Sequence, residues 1–176
     1  MVATELDLLR SRGIEVELYS RHNDDITLMS RLSLLGQTIW SKRTEADIAK
    51  WVADFRPDVI HAHNTFPLIS PTLYVAAHKA GVPVVQTLHN FRLLCPQAML
   101  LRDGKVCEDC LGKVAWRGAV RGCYRGSKAQ TALIGGMQVM HRALGTYRNK
   151  VTRYIALNDF CRNKFIVEDC QQSALW

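Results

Sequence analysis

Two short apolar runs frame the middle of the chain: Asp58–His63, directly after Pro57, and Val82–Leu88, bounded by Gly81-Val-Pro83. Continuous apolar runs of this length suit strands buried on both faces by crossover helices. Between them Ser70-Pro71 opens a helix with proline in its first turn, a favoured place for it. That helix carries Leu73, Ala76, Ala77 and Ala80 at helical spacing and stops at Gly81, a C-terminal cap signal. Strand, helix and parallel strand join by a right-handed crossover. The pattern therefore predicts an α/β fold whose parallel sheet carries His63 and His89 at one edge.

The flanking segments extend this alternation. Thr4–Arg12 has Leu6, Leu8 and Leu9 in helical register and ends at Gly13. Ile14–Tyr19 alternates apolar residues with Glu15 and Glu17, which predicts a half-exposed strand. Arg21–Asp25 reads as a polar loop, and Ile26–Trp40 as a helix of poor periodicity. Thr44–Phe55 reads as a helix with Ile48, Val52 and Phe55 on one face, closed by Arg56-Pro57. Residues 91–112 look irregular, with a turn at 102–105 signalled by Asp103-Gly104. A long helical region spans about 114–148, with its expected break near Gly135-Gly136. Tyr154–Leu157 is a short strand, and Asn158-Asp159 caps a last helix through Val167.

Both central strands end in polar clusters, His61-Ala-His63-Asn64 and Thr87-Leu-His89-Asn90. Open parallel sheets bind ligands just outside the carboxyl ends of their strands, so the clusters read as the wall of one cleft. His89, within Thr-Leu-His-Asn-Phe-Arg92, is the sharpest single candidate; the plain reading is a loop histidine satisfied by backbone. His61 and His63 share a face of their strand. A His-x-His pair binds zinc in some proteins, but one pair without further spaced ligands is weak evidence. His63 and Asn64 are read as lining the cleft, and His61 as a buried, hydrogen-bonded side chain. His22, His78 and His141 have no such context and read as structural or solvated.

Cys95, Cys107, Cys110 and Cys123 form a second constellation, C-x11-C-x2-C-x12-C. Thiolates favour closed tetrahedral zinc sites, and a C-x2-C pair is the usual half of one. These four lie where little regular structure is predicted, so a metal would replace missing core. The competing reading is free thiols in a loop. Cys161 and Cys170 read as isolated thiols.

Length and charge narrow the picture. At 176 residues the chain is one domain. No apolar run approaches the roughly 18 residues of a membrane span, and the first 20 residues, with Glu5, Asp7, Glu15 and Glu17, do not form a secretory signal. Six cysteines without such a signal point to a reducing, cytoplasmic setting. From Leu111 to Asn158 there is no Asp or Glu, yet there are nine Lys and Arg residues, more than the whole net charge of +7. This window is either a solvated helix face or a patch for an anionic membrane surface or lipid-diphosphate acceptor. No recognised module supports nucleic-acid binding.

The wording of 58–110 and 154–167 resembles the N-terminal half of a GT-B glycosyltransferase of the retaining family numbered four, and the resemblance covers about residues 4–167. It implies a Rossmann-like domain over 1–167, with helices on both faces of the sheet. A cysteine-containing insert falls at about 91–124 and a tail at 168–176. In such proteins the domain opens with a strand and a Gly-rich loop and is followed by a second, donor-binding domain. This chain therefore reads as lacking its first strand and its second domain, and as inactive alone. The resemblance also implies transfer of a sugar from a nucleotide-diphosphate sugar to a carbohydrate or lipid-linked acceptor. His89 would lie beside the transferred sugar, with His63, Asn64, Asn90 and Arg92 as substrate-binding residues. Thr65-Phe66-Pro67 and Ser70 would shape the acceptor side. No cofactor is required by this reading beyond a structural zinc. The alternative is a non-enzymatic, zinc-stabilised module whose basic surface binds lipid or nucleic acid.

Overall fold

The computed structural model describes residues 2–21 and 36–167. Helix α1 (Val2–Ser11) is followed by an extended stretch to Arg21, and residues 36–39 form a helical turn before α2 (Lys42–Phe55). Strand β1 (Ile60–Ala62), helix α3 (Thr72–Lys79) and strand β2 (Val84–Leu88) make the crossover unit. Two-residue strands β3 (Leu101–Arg102) and β4 (Lys105–Val106) follow, then α4 (Trp116–Arg121), α5 (Lys128–Ala143) and α6 (Thr146–Asn149). Strand β5 (Arg153–Ala156) and helix α7 (Asp159–Val167) complete the order.

The main sheet has three strands in the order β1-β2-β5, all parallel. Ile60 lies opposite Val84, and Val85 opposite Arg153, so the three carboxyl ends share one edge. His63 and His89 each follow their strand's last residue at that edge, as the sequence predicts. Strand β2 is central, and its burial on both faces accounts for the apolar Val84, Val85 and Leu88 that mark it.

Local chemistry explains where the helices start and stop. The Ser41 hydroxyl accepts from the Thr44 amide to cap α2, and Arg56 closes it in the left-handed region at φ 51° before Pro57. Helix α3 is buried from Thr72 through Ala77, wedged against α2, the sheet and α6, whereas Ala80 is exposed rather than on the core face. Asn158 Oδ1 accepts from the Cys161 amide and so caps α7, as predicted. The core joins Ile48, Leu73, Tyr74, Ala77, Val84, Leu88, Tyr147, Tyr154 and Phe165. At 25 cal/mol per Å2 or so, burying each large apolar side chain contributes about 1.5–3 kcal/mol.

Two expectations need correction. Residues 14–19 form no ladder among the described residues, because alternation makes a strand only when the backbone finds a partner. Side chains tether the segment to α2 instead: Tyr19 donates to Asp47 and its ring tilts against Trp51 at 6.1 Å, while Trp51 donates to Glu17. The helical region 114–148 is interrupted at Gly122–Ser127 and Gly145, not at Gly135-Gly136, which continue α5. Gly122 has φ +66°, and a Cβ there would sit 3.0 Å from the Gly126 carbonyl oxygen, so the chain turns where only glycine fits. Ser127 then caps α5 through the Gln130 amide.

Within the irregular 91–112 region, β3 and β4 pair as a tight antiparallel hairpin. Asp103 at φ 51° and Gly104 at φ 74° are the two positive-φ residues that a type I′ turn requires. Of the predicted helix Ile26–Trp40 only 36–39 is described as helical; the predicted loop beyond Arg21, His22, Cys170 and the tail 168–176 lie outside the described residues. Among the described residues no helix is long and apolar enough to cross a membrane.

Candidate functional site

The carboxyl edge of β1 and β2 gathers three histidines and one carboxylate. His63 Nδ1 lies 2.9 Å from His89 Nε2, and their rings stack at 5.2 Å between centroids. His61 and His63 leave the same face of β1 with ring centroids 4.3 Å apart. Glu5 reaches in from the first turn of α1, placing Oε1 2.8 Å from His61 Nδ1 and Oε2 3.4 Å from His63 Nε2. His61 Nε2 meets the Thr87 hydroxyl at 2.8 Å, which ties β1 to β2 through side chains.

This pattern orders the protons. A carboxylate only accepts, so His61 Nδ1 and His63 Nε2 carry hydrogens toward Glu5. Neutral His63 then has a bare Nδ1, which accepts from His89 Nε2–H. His89 is left with its lone pair on Nδ1, an atom without a hydrogen bond among the described residues. Burial pushes His63 below the ordinary imidazole range, aided by neighbouring His61 and His89 and opposed by Glu5. Burial lowers His89 as well, again with Glu5 opposing and His61 aiding. Both are therefore neutral at pH 7, the state the proton order requires.

Support for this geometry comes from beneath. Gln86 Nε2 donates to the His63 carbonyl at 2.6 Å and to the Thr87 carbonyl at 2.6 Å, while its Oε1 accepts from the Tyr74 hydroxyl at 2.6 Å. Full burial pushes Tyr74 up to about 12, so it remains a donor at any physiological pH. A buried, satisfied network of this kind fixes the backbone from which His63 projects. Glu5, Gln86 and Tyr74 were not among the candidates from sequence.

Comparison with known proteins adds the class of chemistry. A family model described as a glycosyl transferase 4-like domain matches residues 5–154. The chain belongs to this glycosyltransferase family. No curated protein and no solved structure matches it. The parallel three-stranded sheet with its helices is the Rossmann-like half of a GT-B fold. Membership favours an enzyme over a purely binding module.

In this glycosyltransferase domain the remaining candidates divide. Asn64 is exposed just beyond His63. Asn90 turns back on its own loop, its Oδ1 accepting from the Arg92 amide at 2.9 Å. Arg92 is held between the Phe66 ring at 4.6 Å and the Tyr124 ring at 4.9 Å and donates to the Pro96 carbonyl. Its charge thus pins the insert to the 65–70 loop rather than joining the histidines. His141 is a fully buried strut of the core, bonded to the Thr146 hydroxyl at 3.0 Å and the Ile39 carbonyl at 2.9 Å.

The basic window is partly committed within the fold. Arg117 and Arg121 pair with Asp109, and Arg142 donates to the carbonyls of Leu93 and Lys113. Residue types that ligate metals gather in two places. Glu5, His61 and His63 present ligand atoms within 4.8 Å of one another, although their nitrogens are already engaged with each other and with Thr87 and His89. The second place is the cysteine insert, where Cys95, Cys107, Cys110 and Cys123 line one cavity of about 20 Å3. Cys161 is apart from both, buried under the Leu88 carbonyl at 3.9 Å, where burial raises its thiol.

Proposed function

We propose that this glycosyltransferase domain acts on a nucleotide-diphosphate sugar and passes its sugar to a carbohydrate or lipid-linked acceptor. In this reading His89 stands beside the transferred sugar. The observation that carries the assignment is the ordered chain from Glu5 through His63 to His89, ending in a bare Nδ1 at the carboxyl edge of a parallel sheet, where such folds bind ligands.

Each residue then has a defined task. His89 Nδ1 accepts a hydrogen bond from a sugar hydroxyl and so orients the sugar for reaction. His63 holds the His89 ring in plane, and Glu5 holds His63 and His61 in the tautomers that leave the lone pair outward. Asn64, exposed beside His63, contributes to the acceptor wall. Positioning of this kind raises rates by fixing the reacting groups before the barrier is crossed. Neutralising the departing diphosphate is a separate electrostatic task, which the neutral His63 and His89 are not built to perform.

Calorimetric titration of the chain with a panel of nucleotide-diphosphate sugars and free oligosaccharides tests the reading. The expected result is saturable binding that weakens about tenfold in His89→Ala, the scale of one well-placed hydrogen bond. A His78→Ala control on the exposed end of α3 should bind like the parent. Binding that is indifferent to His89 while the variant stays folded would refute the assignment.

A further inference from the structure

We propose that the insert between β2 and α5 is a structural zinc site, with Cys95, Cys107, Cys110 and Cys123 as its four thiolate ligands. The site is separate from the histidine cluster and concerns folding rather than transfer.

Three separate pieces of backbone bring the four sulfurs to one cavity. Cys95 ends the turn after β2, its amide bonded to the Phe91 carbonyl. Cys107 follows β4, with its amide on the Leu100 carbonyl at 2.8 Å, and Cys110 sits in the next turn. Cys123 follows the left-handed cap of α4, its amide on the Gly118 carbonyl at 3.1 Å. Sequence spacing alone left the outer two cysteines unpaired. The fold gathers them with the C-x2-C pair around a space of about 20 Å3, just above what one small occupant needs. All four are free thiols.

The surroundings suit a metal thiolate centre. Helix α4 approaches at a glycine: a Cβ on Gly118 would lie 3.4 Å from Cys110 Sγ. Arg102 and Arg121 line the same cavity, each already paired with a carboxylate, Asp103 and Asp109. Gln97, whose Oε1 is buried without a hydrogen-bond partner among the described residues, lines it too.

The hairpin side of the insert buries little apolar surface. Both hairpin strands are exposed, Val106 is 75% exposed and Trp116 59% exposed. A structural metal supplies folding free energy where apolar burial does not. As they stand, no three of the sulfurs lie within 4.8 Å of one another. Closing a tetrahedron therefore requires side-chain rotation, with the half-buried Cys107 and Cys123 the less enclosed of the four. On binding, each thiol releases its proton to solvent and forms one sulfur–zinc bond, with no change of oxidation state.

The test is elemental analysis of the chain purified under reducing, chelator-free conditions, together with cobalt substitution. About one equivalent of zinc is expected. Cobalt(II) should give the sulfur-to-metal charge-transfer and intense d–d bands of a tetrahedral tetrathiolate. Cys107→Ser/Cys110→Ser should lose the metal, and Cys161→Ser should keep it. Because the double variant could unfold, a mercurial titration of the parent serves as a second readout: zinc should leave in step with four thiols. Absence of zinc and of cobalt charge transfer would overturn the proposal, as would iron in place of zinc, disulfides among these cysteines, or full metal retention in the double variant.

Discussion

His63 Nδ1 and His89 Nε2 stand 2.9 Å apart across the ends of adjacent parallel strands, so one imidazole must donate to the other. Glu5 decides which. Its carboxylate takes the His63 Nε2 proton side, leaving His63 to accept and His89 to donate. The direction of that one hydrogen bond sets what His89 offers to a ligand.

Replacing the carboxylate tests this dependence. Glu5→Gln keeps the shape but offers one acceptor where two imidazole N–H groups now converge. Affinity for a nucleotide-diphosphate sugar should fall about two- to tenfold, the range of one net hydrogen bond. Circular dichroism should be unchanged, since α1 buries none of its residues. Unaltered affinity in Glu5→Gln would remove Glu5 from the account.

Acid should destabilise the fold in a predictable window. His63, His89 and His141 are all lowered, each chiefly by burial. Between the lowered folded value and the unfolded value near 6.5, the unfolded chain binds more protons, so stability rises with pH. The contribution is complete above about pH 6.5 and is lost as pH falls toward the folded values, at up to about 1.4 kcal/mol per pH unit per histidine. Urea unfolding from pH 7.5 to 5 should show this slope, and His141→Gln should flatten it. A profile level through this window would contradict the burial argument.

Beneath the site, Tyr74→Phe removes the hydroxyl that satisfies Gln86 Oε1. Leaving that buried acceptor unpaired should cost about 1–3 kcal/mol in urea unfolding. Because Gln86 also holds the His63 carbonyl, ligand affinity should fall along with stability. Loss of stability with affinity intact would separate the two.

The sheet is legible because the central β2 is buried on both faces, and the apolar residues of β1 and β2 with bounding Pro57, Gly81 and Pro83 survive in a linear reading. The shared edge of His63 and His89 follows from the parallel pairing of their strands. Residues 14–19 misled because alternation records side-chain environment, not the presence of a pairing strand. The helix break at Gly122–Ser127 was placed too late because glycines are permissive, and only the fold shows which of them turn: Gly122 and Gly126 have positive φ, whereas Gly135 and Gly136 lie within a helix. Glu5 was overlooked because its contact with His61 and His63 is long-range. Two histidines on one strand face with no acceptor in their own segment were the available hint. Arg92 sits in the same string as His89, yet its aromatic clamp, Phe66 and Tyr124, comes from two distant loops.

The most direct measurement is the imidazole nitrogen spectrum of the chain, recorded with and without a nucleotide-diphosphate sugar. The account predicts neutral His89 as the Nε2–H tautomer in the free protein, with its Nδ1 resonance moving furthest on ligand addition. Saturating ligand with the Nδ1 signal unmoved, or a free His89 carrying its proton on Nδ1, would contradict it.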